Sequence, residues 1–104
     1  MDFREAFSAI EVKELVRYHR TDVDADKILF LFKNRCVRCG RHTMFVHEIV
    51  PRSHGKSSLE PENRIPLCDL CHHGFAHGST SASIPILQRL RLKALENLGY
   101  NIPK

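Results

Sequence analysis

Residues 36–39 are Cys-Val-Arg-Cys and residues 68–71 are Cys-Asp-Leu-Cys, and these two stretches decide how the chain folds. A pair of Cys-x2-Cys stretches is the spacing with which two knuckles bring four thiolates to one tetrahedral Zn²⁺. Gly40 suits the tight turn of the first knuckle. The sequence therefore predicts a structural zinc held by Cys36, Cys39, Cys68 and Cys71. Such a closed shell has no open coordination position, so this zinc would stabilise the fold without catalysing a reaction.

The 28 residues between the two pairs exceed the usual zinc-ribbon interval, so we expect another structural unit between them. Residues 42–50 are the best strand candidate, and Pro51 ends it. Residues 52–63 are rich in Ser, Gly, Pro and charge, which indicates a loop. Residues 64–67 offer a brief second strand before Cys68.

Helices are expected on both sides of this unit. Phe3, Phe7 and Ile10 share one helical face, and residues 8–11 have the capping-box pattern, which predicts one kinked helix or two short ones. The acids in residues 22–26 favour the start of a further helix that continues through the apolar residues 28–32. Five apolar residues do not settle the period, so that run is also compatible with a strand.

After a polar linker at residues 78–83, a last helix is predicted at about residues 84–98, with Ser83 as its N-cap and Gly99 as its C-cap. Its apolar face consists of Leu87, Leu90, Ala94, Leu95 and Leu98. We expect its cations to lie on the solvated face, namely Arg89, Arg91 and Lys93. Tyr100 and Ile102 are expected to dock on the core.

The length and composition indicate one α+β domain of 104 residues, with a core at about residues 33–78 and helical flanks at 1–32 and 84–98. No apolar stretch is long enough for a membrane span. The N-terminus has neither the basic start nor the apolar core of a secretory signal, so we expect a reducing, cytoplasmic location in which cysteines bind metal.

The net charge of +4 is unevenly distributed. Residues 33–56 carry six Lys/Arg against the single acid Glu48, whereas residues 1–32 carry seven acids against five bases. Positive charge around the cysteines and histidines would attract a polyanion, so DNA is the expected partner. The predicted DNA-contacting residues are Arg38, Arg41, Arg52 and Lys56.

Three motifs occur in a fixed order: residues 47–53 are His-Glu-Ile-Val-Pro-Arg-Ser, residues 62–64 are Glu-Asn-Arg, and residues 71–77 are Cys-His-His-Gly-Phe-Ala-His. This order, over about residues 33–78, resembles the HNH endonuclease family, in the branch whose ββα-metal core is held by two Cys-x2-Cys knuckles. Small proteins of this kind are frequent in bacteriophages, where some work beside the DNA-packaging machinery, so the resemblance implies that context and that possible protein partner.

The resemblance also implies roles for single residues. His47 falls at the position of a strand-borne metal ligand, and Glu48 at that of the general-base histidine. Asn63 matches the asparagine that orients the base or the loop. His72 matches the helix-borne metal ligand, and a third ligand about one turn later would be His77, with His73 as the alternative register.

Phosphodiester hydrolysis needs a base to activate water and a cation to neutralise developing charge. Two imidazoles can hold one divalent ion such as Mg²⁺, Mn²⁺ or Ni²⁺ and leave positions open for water and phosphate. A carboxylate is a weaker base than an imidazole, so three interpretations stay open. Glu48 is the base, which we favour; His47 is the base with Glu48 bound to metal; or the site is inactive.

The predicted function is therefore a DNA endonuclease, and the alternative is a non-catalytic zinc module that binds nucleic acid or protein. Of the remaining histidines, His19 and His42 are expected to be ordinary surface or core residues. His54 is as compatible with solvation as with phosphate contact.

Overall fold

A computed structural model of the protein describes residues 1–50, 60–76 and 83–101. These residues form a small mixed structure of helices and one two-stranded sheet. Its elements are, in chain order, α1 (Phe3–Ala9), a 3-10 turn (Val12–Glu14), α2 (Val23–Leu31), β1 (Val46–Glu48), a second 3-10 turn (Pro61–Asn63), β2 (Arg64–Pro66), α3 (Asp69–Cys71), a π-helical turn (His72–Ala76) and α4 (Ser83–Asn97). Within the described ranges, no helix has both the length and the apolar character required to cross a bilayer.

Helix α1 is capped by Asp2, whose side chain accepts a hydrogen bond from the backbone N–H of Glu5 at 2.8 Å. Phe3 and Phe7 are buried along its inner face, as their spacing predicts. The capping box expected at Ser8 was wrong, because Ser8 lies inside α1. The next element is only the turn Val12–Glu14, which has no side-chain cap and no buried residue to hold a longer helix.

Residues 23–31 form helix α2, so the ambiguous apolar run is helical. Asp22 is its N-cap and accepts from the backbone N–H of Ala25 at 3.1 Å. The helix ends where Lys33 and Asn34 take φ values of 56° and 57°, in the left-handed region that terminates helices. This reversal leads the chain into the first cysteine pair.

Strands β1 and β2 pair antiparallel, with His47 opposite Ile65 and Glu48 opposite Arg64. The sheet is shorter than residues 42–50 suggested, because β2 contains only three residues between the turn Pro61–Asn63 and Cys68. The two strands otherwise lie where the sequence predicted them.

Two hydrophobic clusters flank the sheet. The helical core contains Phe3, Ala6, Phe7, Ile28, Leu31, Phe32 and Leu95. The knuckle core contains Cys36, Ile49, Ile65, Leu67, Cys68, Cys71 and Leu87. Helix α4 contributes to both cores and so joins the flanks to the cysteines, and Val37 packs against both.

Helix α4 confirms the predicted C-terminal helix, and Gly99 comes after it with φ +90°. Ser83 is its first residue and is buried. The solvated position expected for Arg91 was wrong: this side chain is buried, and its guanidinium lies 4.6 Å from the Phe3 ring centroid. Tyr100 packs on the same ring, at 6.3 Å between centroids. Ile102 and most of the predicted linker, residues 78–82, lie outside the described residues.

Candidate metal centre and active site

The four cysteines meet in one place. Their sulfur atoms all lie within 4.8 Å of one another, and Cys39 Sγ is 3.5 Å from Cys68 Sγ. Four sulfurs at about 2.3 Å from a tetrahedral zinc are separated by about 3.8 Å, so the observed cluster has the right size. None of the four forms a disulfide. These residues could therefore hold a metal ion such as zinc.

Local backbone structure explains why the cysteines converge. At the first pair, Gly40 takes φ +78° and donates its N–H to Cys36 O at 2.9 Å, which closes the knuckle turn. At the second pair, Cys68 is the N-cap of α3, and its sulfur accepts from the backbone N–H of Cys71 at 3.5 Å. The turn and the helix start each bring two sulfurs to the same side.

The thiols differ in acidity. Burial alone would raise the pKa of Cys36, but backbone N–H groups of Cys68, Cys39 and Arg38 donate to its sulfur and lower the pKa to about 7. Burial dominates at Cys71 and raises its pKa to about 12, although the Arg38 guanidinium opposes this at 3.7 Å. Without a metal, protons would thus remain in the cluster, so metal binding must displace them.

Beside this cluster, β1 and the segment that begins with α3 bring two imidazoles together. The ring centroids of His47 and His72 are 5.0 Å apart, with the planes inclined at 65°. Both line a cavity of about 190 Å³, along with Phe45 and Asp69. Burial, and then the neighbouring His72, lower the pKa of His47, so this imidazole is neutral at pH 7 and keeps a lone pair on one ring nitrogen.

Glu48 comes directly after His47, and strand alternation turns the two side chains to opposite faces of the sheet. Val46, on the face of Glu48, packs against the helical core although part of it also lines this cavity, whereas the His47 ring contacts the His72 ring. Across the strand pair, Glu48 lies opposite Arg64. His47 is therefore the member of the pair that lines the cavity, and the assignment of the base to Glu48 stays a prediction.

Asn63 ties the end of β1 to the turn before β2. Its side-chain oxygen accepts from Val50 N at 2.9 Å and its amide donates to Val50 O at 3.0 Å. Its backbone oxygen accepts from Ile49 N at 2.8 Å. This asparagine therefore fixes residues 49 and 50, immediately after the His-Glu pair.

The other predicted site residues adjoin this cavity, lie at the first knuckle or lie outside the described ranges. The ring centroid of His73 is 5.3 Å from that of His72. His73 is exposed, and its Nε2 lies 3.0 Å from Asp69 Oδ1. Arg38 and Arg41 are exposed next to the first knuckle. Outside the described residues lie His77, Arg52 and Lys56, so the structure does not distinguish between His73 and His77 as the third ligand.

Sequence reasoning missed Asp69, which lines the same cavity as His47 and His72 while its carboxylate pairs with His73. Its signal was available, since Asp69 precedes His72 by three residues on a helix and such residues share a face. It also missed the partners of two acids that it had assigned only to a helix start. Asp22 pairs with the buried Arg64 at 2.7 Å, and the buried Asp26 pairs with Arg17 at 2.7 Å.

Comparisons with protein-family models, curated proteins and solved structures found no match for this chain.

Proposed function

We propose that this protein is a metal-dependent endonuclease of the HNH type, which hydrolyses phosphodiester bonds of DNA. The observation that carries the proposal is the pairing of His47 on a strand with His72 at a helix end, 5.0 Å apart, beside a four-cysteine cluster. Strand, strand and helix would then form the ββα-metal core, with the zinc site holding the helix against the sheet.

The donors proposed for a catalytic divalent ion come from this cavity. His47 and His72 offer two imidazole nitrogens, and Asp69, whose carboxylate lies 3.0 Å from His73 Nε2, would have to leave that contact to offer an oxygen. Mixed nitrogen and oxygen donors accept Mg²⁺, Mn²⁺ or Ni²⁺ to different extents. When bound, such an ion would supply Lewis-acid stabilisation of the phosphate and of the leaving oxygen.

The chain's own residues supply the rest of the chemistry. The lowered pKa of His47 keeps its imidazole unprotonated at pH 7, as a metal ligand or a base requires. The sequence pattern puts Glu48 at the general-base position, and the Glu48→Gln variant decides whether it or His47, which lines the cavity, accepts the proton of the attacking water. Asn63 fixes the backbone after these two residues through both hydrogen bonds to Val50. The positive charge of residues 33–56 favours the approach of DNA.

The test is nicking of supercoiled plasmid by zinc-loaded protein in EDTA, Mg²⁺, Mn²⁺ or Ni²⁺. We compare the wild type with His47→Ala, His72→Ala and Glu48→Gln, and use His42→Ala as the matched control because His42 is exposed and does not line the cavity. Loss of one catalytic group typically lowers the rate by about 10²–10⁴-fold. We expect metal-dependent nicking that survives only in the control.

Other outcomes reassign the roles. If Glu48→Gln nicks normally while both histidine variants fail, His47 is the base or a ligand and Glu48 is neither. His73→Ala and His77→Ala variants, compared in the same assay, identify the third ligand. If no metal supports cleavage although the protein is folded and binds DNA, the nuclease proposal fails and the chain is a zinc-stabilised binding module.

A further inference from the structure

A second cavity lies on another part of the molecule, between the first knuckle and helix α4. Its volume is about 410 Å³, within the range of about 300–1,000 Å³ typical of ligand clefts. Val37, Leu90, Ala94 and Leu98 form its floor, and each is half-buried. We call it the α4 groove.

The rim of the α4 groove is cationic. Lys33, Arg35, Arg38 and Lys93 line it, and no described residue of the lining is acidic. In the described ranges, Lys33, Arg35 and Lys93 form no ion pair. The sulfurs of a zinc site would leave a net negative charge, and Arg38, 3.7 Å from Cys71 Sγ, is placed to offset it. Lys33 and Lys93 remain for a ligand, and Arg35, whose Nη1 donates to Gly40 O at 3.0 Å, keeps its other guanidinium N–H groups for one.

The apolar floor and the cationic rim of the α4 groove together indicate which kind of molecule it binds. Phosphates of duplex DNA would satisfy the rim but would gain nothing from an apolar floor. Bases of a single strand need exposed aromatic rings for stacking, and Phe32, the aromatic residue of the lining, is only 2% exposed. An acidic peptide with apolar side chains satisfies both, because the hydrophobic contacts and the charge pairs form at once.

We propose that the α4 groove docks an acidic amphipathic segment of a partner protein. Bulky apolar side chains of the segment fill the floor over Ala94, and its Asp or Glu side chains face Lys33, Arg35 and Lys93. The groove shares none of its lining residues with the cavity of His47 and His72, so this docking site does not depend on nuclease activity.

The experiment uses the zinc-loaded full chain and fluorescein-labelled synthetic peptides, read by fluorescence anisotropy. The probe is a helical peptide of Leu, Ala and Glu with Leu on one face. Its two comparison peptides have the same composition without an apolar face, or Lys in place of Glu. We expect the probe to bind at least about tenfold more tightly than either comparison peptide.

Three variants separate the contributions of rim and floor. Lys33→Glu combined with Lys93→Glu reverses the rim at exposed positions and should weaken binding at least about tenfold. Ala94→Gln keeps the charge but fills the floor with a side chain that a helix tolerates, and should weaken binding to a similar extent. Lys13→Glu, compared with Lys33→Glu alone, makes the same single charge reversal at an exposed site outside the groove lining and should leave binding unchanged.

Zinc content and thermal unfolding of each variant establish that it is folded. The proposal is overturned if the peptide without an apolar face binds as tightly as the probe, or if Ala94→Gln has no effect, because the attraction is then charge alone. It is also overturned if the probe does not bind while Lys33→Glu combined with Lys93→Glu weakens binding of duplex DNA. The groove would then be a nucleic-acid-binding site.

Discussion

His47 is the residue whose titration reports most directly on the proposed active site. Burial and the nearby His72 lower its pKa below the ordinary value of 6.5. As the pH falls below 6.5, the unfolded chain takes up a proton here and the folded protein does not. The free energy of unfolding therefore decreases over this interval, and the decrease ends below the folded-state pKa. Well above pH 6.5, where this imidazole is neutral in both states, the residue contributes no pH dependence.

We expect an NMR titration of the zinc-loaded protein, without a second divalent metal, to give a His47 midpoint below 6.5. In His72→Ala the midpoint should rise, because the neighbouring charge is gone, but stay below 6.5 because burial remains the larger cause. The exposed His42 provides an internal comparison. A His47 midpoint at or above 6.5 would contradict the buried position of this imidazole.

Asn63 provides a second test at the scale of one side chain. Asn63→Ala removes both hydrogen bonds to Val50, whereas Asn63→Asp keeps an acceptor for Val50 N but turns a carboxylate toward Val50 O. We expect each variant to lower the free energy of unfolding by about 1–3 kcal/mol in urea titrations. Asn97→Ala, at an exposed position on α4, should change it by less than about 0.5 kcal/mol. If the Asn63 variants lower the free energy of unfolding no more than Asn97→Ala does, the hydrogen bonds to Val50 contribute nothing to stability.

At the scale of elements, local sequence signals were enough to predict where a helix begins. The acids before residues 28–32 predicted a helix start, and Asp22 caps α2. They could not reveal that Asp26 is buried, since its partners Arg17, Tyr18 and His19 come from an irregular segment. Arg91 was predicted to be solvated because its burial also depends on a contact between distant parts of the chain. Helix α4 packs against α1, and the Arg91 guanidinium lies over the ring of Phe3.

The ion pair between Asp22 and Arg64 links α2 to β2, and its loss should be measurable at the level of these elements. Arg64 is buried at 8% side-chain exposure, so removing its partner leaves a charge that water solvates poorly. Asp22→Asn keeps the cap acceptor and should cost about 2 kcal/mol. Asp22→Ala also loses the cap and should cost about 1 kcal/mol more.

The control for this prediction is Arg64→Met. Combined with Asp22→Asn, it removes both charges and should restore part of the stability lost in Asp22→Asn alone, as measured in a double-mutant cycle by urea unfolding. If the double variant is as unstable as the sum of the two single variants, the residues are not coupled and the pair does not hold α2 against the sheet.

For the whole molecule, the cysteine spacing predicted a contact across the 28 intervening residues, and the structure brings all four sulfurs together. The side of the sheet that His47 faces was not predictable in the same way. It depends on the pairing of His47 with Ile65 and on packing of the opposite face against the helical core. A one-residue change of register would turn the side chain of Glu48, instead of that of His47, toward the cavity. The sequence contains both residues side by side, so it does not by itself show which of them faces the cavity.

The structure divides its apolar residues between two cores, and this determines what removal of zinc should do. Three of the four cysteines are buried in the knuckle core, so without metal that core would enclose thiols crowded around a missing centre. Zinc binding in small domains contributes on the order of 10 kcal/mol, comparable with the whole stability of a domain of this size. The helical core contains no cysteine, and in it Phe3 contacts both Phe32 and Tyr100.

We therefore expect elemental analysis to find one zinc per chain. Stripping the zinc, or introducing Cys68→Ser, should abolish cooperative thermal unfolding while part of the helical far-UV signal remains. Mg²⁺ added to the stripped protein should restore neither folding nor nicking, because hard oxygen-seeking ions bind thiolates poorly, whereas Zn²⁺ should restore the fold. Ser8→Ala, at an exposed position of α1, serves as the control for a small change away from the cysteines. A stripped protein that still unfolds cooperatively at the same temperature would show that the fold is held by its two apolar cores and not by metal.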